Sequence, residues 1–527
     1  MKRFYDASSS AALILALGAG TASADVTARQ VWTDMQDYME DFGYEITATE
    51  EETGDGLTLT DVTMTFDLPA APADDEAGDD GAAMTTGETG SLTFTMDRIT
   101  FRNNGDGTVD VVLPETMPLT FDVQPPDEGP VSGKLDYTTS GFDMTISGDP
   151  GDLAYDFSAD SLGLALTEIT GKGKTVGPDQ FKAMMRLAGV TGHTEMSTTS
   201  ELRDIAQSMT AEEFSYDVDV TPPDEPANNF KMAGSMTGMK YDGTYSLPQD
   251  VDMAEMGAAL DAGFATDGSF SHQGGSTEFS FTEAGRTLTG TSSSESGEGS
   301  VTMNDEELAY RVAGKGMAFE ATSNEMPFPM SGEMDEALFH IALPLGPAEE
   351  AHDFNLALTL GGLSVSEQLW SMIDPSGTLS HEPATVSFDI SGTAKPLVDI
   401  FDQQQMEAIN VDGGMPAELE TLKLNDLLVQ IAGARLTGEG DFTFDNSDLQ
   451  TFQGMPAPEG EVTLTLDGAN QLMDKLVEMG LLPQQQAMSA RMMMGMFAVP
   501  GSSDDSLRST IEVTPDGKVL ANGQRIR

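Results

Sequence analysis

Apolar residues recur at every second position over most of the chain, as in Leu57, Leu59, then Val62, Met64, Phe66, and again in Leu92, Phe94, Met96, then Ile99, Phe101. Side chains alternate between two sides only along an extended strand, so this period assigns these segments to sheet. Each step pairs one polar with one apolar position, which gives a wetted face and a buried face, unlike the continuous apolar strands of a parallel sheet. The alternation recurs in Leu119/Phe121/Val123, Phe142/Met144/Ile146, Leu153/Tyr155/Phe157 and Leu162/Leu164/Leu166, with Gly, Pro and Asp in the gaps. That is the pattern of an antiparallel meander. Both of the first runs shift phase once, as a β-bulge does when it turns a strand without ending it. The predicted fold is mainly β: a long twisted antiparallel meander curled around an apolar face, with a few short helices.

Residues 1–24 have the layout of a cleavable export signal: Lys2 and Arg3, an apolar stretch from Ala11 to Gly20, and the small residues Ala22-Ser23-Ala24. The mature chain is therefore expected to start at Asp25, in the periplasm or outside the cell. Val31, Met35, Met39 and Phe42 follow Thr27 at helical spacing and Gly43 ends the run, predicting an N-terminal helix. Residues 25–363 form a strand-rich region, interrupted at 70–90 by Asp74, Asp75, Glu76, Asp79 and Asp80 among Ala, Gly and Thr, a composition expected of a mobile acidic loop. A helical interlude is expected near Pro178–Ala188. From Ser364 the pattern is mixed, with helices expected at Ser366–Ile373 and Pro396–Ile409, so 364–527 is taken as a mixed β/α unit that closes the sheet. TFDVQPPD at Thr120–Asp127 and YDVDVTPPD at Tyr216–Asp224 point to a diverged internal repeat.

With 88 acidic against 25 basic residues the chain carries a net charge of −63. Such a field repels phosphodiester backbones and anionic headgroups, which argues against nucleic acid as a partner and leaves cationic partners open. There is no cysteine, hence no disulfide and no thiolate metal site. No uncharged apolar run in the mature chain reaches the roughly 20 residues of a transmembrane helix.

The usual catalytic and ligand motifs fail on specific positions. No serine is framed as G-x-S-x-G, and His193, His272, His340, His352 and His381 form no H-E-x-x-H pair. Gly171-Lys172-Gly173-Lys174-Thr175 lacks the early glycine of a phosphate loop, Glu168 standing there. The run Asn103 to Asp110 resembles the middle of a calcium loop, but Arg102 and Leu113 fall on ligand positions, so a hairpin turn between Phe101 and Val111 is expected. No catalytic, cofactor-binding or metal residue is nominated, and an enzyme stays open as the minority reading. Of 33 methionines the densest group is Arg491-Met492-Met493-Met494-Gly495-Met496. Thioethers bind cuprous copper, but Met488, Met492 and Met496 recur at helical spacing, which predicts core packing.

Toward the C-terminus Leu436, Gly438, Gly440, Phe442 and Phe444 share one face of a strand, and Val462, Leu464 and Leu466 one face of the next. These should pair as antiparallel neighbours, the glycines leaving an apolar groove. Leu472, Leu476 and Met479 then line a helix ending near Gly480, Pro483 opens a second, and Ile511 to Gln524 makes a hairpin. The stretch ARLTGEGDFTFDNSDLQTFQGMPAPEG, with NQLMDKLVEMGLL, RMMMGMF and the terminal ANGQRIR, resembles the exported alphaproteobacterial proteins grouped as domain-of-unknown-function family 2125, over roughly the last hundred residues. That family has no established activity, so the resemblance implies no catalytic residues. The layout is also similar to envelope proteins of the AsmA type, which implies an association with lipid traffic. The leading expectation is a non-enzymatic periplasmic protein holding an acyl chain or an envelope partner on its curled sheet. An envelope hydrolase and a structural or cation-buffering surface protein are the alternatives, and the lining of the concave face discriminates among the three. The sequence leaves the oligomeric state open.

Overall fold

The computed structural model describes residues 25–124, 129–401 and 415–527, less 42, 69–89, 172, 250 and 252–255, together with Gln405 and Ile409. The expected signal and nearly all of the acidic stretch lie outside the described residues. Part of the helix expected over Pro396–Ile409 lies outside them too; of the rest, Pro396 closes a strand, 397–401 are turn or irregular rather than helix, and Gln405 and Ile409 are helical.

The strands are β1 (Tyr44–Thr53), β2 (Gly56–Leu68), β3 (Gly90–Asn103), β4 (Val109–Val112), β5 (Thr116–Gln124), β6 (Val131–Ser140), β7 (Asp143–Asp149), β8 (Asp152–Gly171), β9 (Lys174–Val176), β10 (Phe181–Thr198), β11 (Leu202–Val220), β12 (Asn229–Pro248), β13 (Ala265–His272) and β14 (Gly275–Glu283). They continue as β15 (Arg286–Ser294), β16 (Ser296–Met303), β17 (Glu307–Ser323), β18 (Met330–Pro344), β19 (His352–Val365), β20 (Ala384–Pro396), β21 (Ala417–Ile431), β22 (Ala434–Asp445), β23 (Ala457–Asp467), β24 (Val499–Pro500), β25 (Ser506–Val513), β26 (Val519–Ala521) and β27 (Gln524–Arg525). The helices are α1 (Ala28–Asp41), α2 (Met256–Asp261), α3 (Glu367–Ile373), α4 (Ala469–Glu478) and α5 (Gln484–Phe497). Among the described residues no helix is long and apolar enough to cross a membrane.

All the named strands join one antiparallel sheet, and most pairings are between chain neighbours. The sheet is continuous across residue 364, because β18 pairs with β19 and β19 with β20. Twice the meander branches. β3 is flanked along its length by β4 and β5, these by β7 and β6, and both of those by β8. β12, β13, β14, β16, β15 and β17 repeat the arrangement. The repeat expected from TFDVQPPD and YDVDVTPPD does not mark this duplication, because the two segments end β5 and β11, which are not equivalent strands.

The expected phase shift recurs in several other strands of the sheet. In β10 the apolar face carries Phe181, Ala183, Met185 and Leu187, and beyond Gly189 it carries Val190, Gly192 and Met196, one residue out of step. Gly189 has φ 59°, Gly238 in β12 59°, Gly316 in β17 58°, Gly362 in β19 67°, and Asp61 in β2 51°. A left-handed residue within a strand adds a kink that switches the side its neighbours point to. Register aligns the kinks across the sheet: Asp160, Gly189, Glu212 and Gly238 lie level on consecutive strands, as do Gly316, Asp335 and Gly362. Glu212 folds over Gly189 and Asp335 over Gly362, in the space a Cβ would take. The result is a crease running across the strands, with one apolar face on both sides of it.

The N-terminal end of that face is filled by α1. Thr27 and Gln30 cap the helix reciprocally, Thr27 N donating to Gln30 Oε1 at 2.9 Å and Gln30 N to Thr27 Oγ1 at 3.4 Å. Val31 and Trp32 then pack on Leu57, Leu59, Val62, Phe101, Val109 and Ile146, all fully buried. Two expectations need correction. Residues 181–188, read as helix, are strand β10: their good helix formers also alternate, and pairing with β8 on one side and β11 on the other overrides helix propensity. Met488, Met492 and Met496, expected in the core, are exposed on α5, which packs inward through Ala487 instead because, among the described residues, no further layer covers its outer side.

Candidate binding surface: an apolar trough

Register gives the composition of the creased face strand by strand. Leu162, Leu164 and Leu166 of β8 lie beside Leu187, Met185 and Ala183 of β10, and these beside Phe214, Tyr216 and Val218 of β11. Farther along, Phe339 and Ile341 of β18 lie beside Leu358 and Leu356 of β19, and these beside Phe388 and Ile390 of β20. Large rings on this face lie flat over cross-strand glycines. A Cβ on Gly332 would come 2.5 Å from Phe319, and one on Gly392 2.7 Å from Phe354. Each glycine lets an aromatic ring lie down on the sheet, so the lining is apolar but thin.

At the crease of β8 to β11 the floor is made of the small buried residues Ala159, Val190 and Ala211. From β11 to β19 the crease opens into a cavity of about 510 Å³, lined by Tyr216, Met236, Met317, Phe319, Met334 and Leu363. These residues flank the kinks at Gly238, Gly316 and Gly362, so the cavity is the inside of the bend. Among the described residues no second layer covers it: Tyr310 is 45% and Phe319 44% exposed. The Tyr216 and Thr277 hydroxyls bond each other at 2.6 Å, and Ser235, His272, Ser292 and Ser294 add polar groups to the lining. The opposite side of the same strands is wetted by Thr291, Ser293, Glu320, Ser331, Glu333 and Ser364.

The residues singled out from the sequence belong to the same face. Leu436, Gly438 and Gly440 sit opposite Leu466, Leu464 and Val462, and Phe442 and Phe444 follow opposite Gly460 and Pro458. Through Leu422, Leu424, Leu427 and Val429 of β21 they continue the apolar surface from β20. The space over Gly438 is taken by neighbours, a Cβ there falling 2.7 Å from Leu464 Cδ2 and 3.2 Å from Leu427 Cδ2. This strand pair is therefore lining at the C-terminal end of the face, several strands from the cavity. The cavity residues themselves carried one sequence signal, the phase shift beside an in-strand glycine.

Groups with displaced titration lie elsewhere. Hydrogen bonds from His193 to Asp156, at 2.7 Å, and to Glu195 raise the imidazole above its ordinary value on the wetted face. Burial pushes the Asp34 carboxyl up, against the pull of the Arg203 guanidinium 3.3 Å away under α1. Asp374 also feels its burial, but hydrogen bonds from the Thr378 and Leu379 amides and Ser376, with the His381 imidazole 3.6 Å away, hold it below the usual carboxylate range, closing the loop after α3 where Trp370 stacks on His381 at 4.3 Å. Gly171 at the end of β8 pairs with Lys174 at the start of β9, and the Asn103–Asp110 segment turns β3 into β4. Among the described residues no group of three or more His, Asp or Glu is placed to hold a metal ion.

No curated protein matches the chain. Residues 259–525 match the model of a family described as uncharacterized protein conserved in bacteria (DUF2125), a span from α2 to the last strand and so wider than the C-terminal hundred residues.

Proposed function

The chain belongs to the DUF2125 family, whose description assigns no activity, and from its geometry we propose that it is an exported protein which holds lipid acyl chains on the creased apolar face. The observation that carries this reading is the uncovered, mainly apolar surface with a cavity at its bend. Its volume of about 510 Å³ falls within the roughly 300–1,000 Å³ usual for small-molecule sites. Leaving Phe281, Tyr310, Phe319, Phe339 and Leu363 wet costs about 25 cal/mol per Å² of apolar surface, which an acyl chain laid along the crease would recover. A contiguous apolar patch of this extent marks a binding surface in a soluble chain. The polar groups of the lining, among them His272, Ser292 and Ser294, offer partners to a headgroup. The motif at Lys2, Arg3 and Ala22-Ser23-Ala24 supports export.

Phospholipid or fatty acid should copurify with protein extracted gently from its native envelope, detected by mass spectrometry after organic extraction. Ser292, an exposed small residue in the cavity lining, is the place to block it. Ser292→Trp should lower bound lipid several-fold with an unchanged melting midpoint. Protein that never carries lipid, or that carries as much after the tryptophan is installed, would sink the reading.

A further inference from the structure

α5 is built the wrong way round for a surface helix. Its inner side is small, with Ala487 buried, while its largest side chains face solvent: Met488 is 62%, Met492 71%, Met493 59% and Met496 61% exposed. A solvated helix normally turns its apolar stripe inward. Leu481 before the helix and Val499 after it extend the exposed stripe at both ends. The only charge on α5 is Arg491, and it is held by the Asn470 carbonyl, the Asn470 side chain and Asp474 of α4.

Local charge identifies the occupant. In a chain with 88 carboxylates, the stretch from Met479 to Ser503 contains none. Elsewhere the acidic surface would repel phosphate headgroups, a repulsion screened within about 8 Å at physiological salt. α5 itself adds no carboxylate to this repulsion, its neighbours Asp474 and Asp505 being turned toward Arg491, and four flexible thioether side chains project outward, suited to irregular apolar surroundings. We infer that α5 is a membrane-docking helix that lies in the headgroup region of a phospholipid bilayer with Met488, Met492 and Met496 inserted. β25 ties it to the sheet: β24, which directly follows α5, pairs with β25, and Ser509 donates to the Phe497 carbonyl. The docked helix thus sits at the C-terminal end of the apolar face. The inference goes beyond the trough reading and rests on it only for the purpose of docking, namely passing lipid to or from that face.

The test uses purified chain from Asp25 onward and vesicles of phosphatidylethanolamine and phosphatidylglycerol at a ratio of about 3:1, in a flotation assay at about 0.15 M salt. The parent should float with the vesicles and continue to do so at about 0.5 M salt, as apolar insertion requires. The triple variant Met488→Gln, Met492→Gln, Met496→Gln should lose flotation about tenfold or more while melting like the parent, because these side chains are exposed. Ser292→Trp should still float, so trough occupancy and docking report separately. Three results would overturn the inference: a parent that does not float, a triple variant that floats like the parent, or a parent dimer in light scattering that the triple variant converts to monomer while neither binds vesicles.

Discussion

Arg203 is 1% exposed on the apolar face of β11, with Asp34 of α1 as its ion-pair partner, the Tyr38 ring at 5.4 Å and Met196 Sδ at 3.1 Å. A charge this deep in an apolar setting is tolerated only when compensated, so the pair fixes where α1 docks rather than adding much net stability. Removing the carboxylate is another matter. Asp34→Ala should lower unfolding stability by about 3–5 kcal/mol, the usual cost of breaking a buried pair on one side. Denaturant unfolding of the two proteins measures it, and a loss under about 1 kcal/mol would mean that Arg203 is satisfied without Asp34. At the exposed extreme, His193 has its pKa raised by Asp156 and then Glu195. A raised histidine stabilises the fold below the unfolded value of about 6.5, and that contribution disappears as pH climbs through the folded value. Because the side chain is 43% exposed, the effect on stability is small and the titration itself is the better observable. The His193 ring protons should show a midpoint above about 6.5 by NMR, moving down in Asp156→Asn; equal midpoints in the two proteins would exclude the hydrogen bond as the cause.

Helix α4 begins at Gly468, with φ 72° and no side-chain cap of its own. Its first amides are satisfied from a distance, by Asp505, which accepts from Asn470 N at 3.2 Å, Gln471 N at 2.9 Å and Asn470 Nδ2 at 2.8 Å. Burial alone would raise Asp505, but these bonds and Arg491 bring it below its ordinary value. A depressed carboxylate stabilises the fold above the unfolded pKa of about 3.9 and loses that contribution as pH falls through the folded value. Asp505→Ala should therefore cost about 1 kcal/mol at neutral pH, as for a lost N-cap, and the cost should shrink in acid. Melts at pH 7 and near pH 3 compare this; a pH-independent difference would show that packing, not the charge, was lost. The helices also show where sequence reading succeeds and stops. Thr27, Gln30 and the i, i+4 apolar set specify α1 locally, and alternation specifies the strands and the shared face of Leu436 to Leu466. Residues 181–188 satisfy helix and strand rules equally, and only their neighbours β8 and β11 decide. In α5 the spacing of Met488, Met492 and Met496 gives the helix but not which side meets protein, since that depends on what lies beyond α4. The cavity was illegible for a similar reason: Gly238, Gly316 and Gly362 sit far apart in the chain and become one crease only through register.

At the scale of the molecule, two opposing demands meet. A net charge of −63 favours expansion, and an apolar face left partly wet favours closure. Screening should tilt the balance toward the fold, so the melting midpoint should rise between low salt and about 0.5 M, where the Debye length is near 4 Å; an unchanged midpoint would mean that the carboxylates are already compensated locally. The crease decides how far the sheet closes. Its left-handed positions cost a residue with a side chain about 1–2 kcal/mol each, and a bulky side chain would also meet the carboxylate folded over it. Gly189→Val and Gly316→Val should each destabilise by at least that much and lower bound lipid, because a straighter strand opens the trough. The two sites lie many strands apart, so their effects should add within about 0.5 kcal/mol. Gly316 and Gly362 both flank Asp335, and the Gly316→Val, Gly362→Val pair should depart from additivity by about 0.5 kcal/mol or more. Denaturant unfolding of the singles and doubles, with lipid content measured on the same preparations, tests the crease as one structure. If the neighbouring pair adds as simply as the distant one and lipid content is unmoved, the kinks are independent local turns and the trough takes its shape from something else.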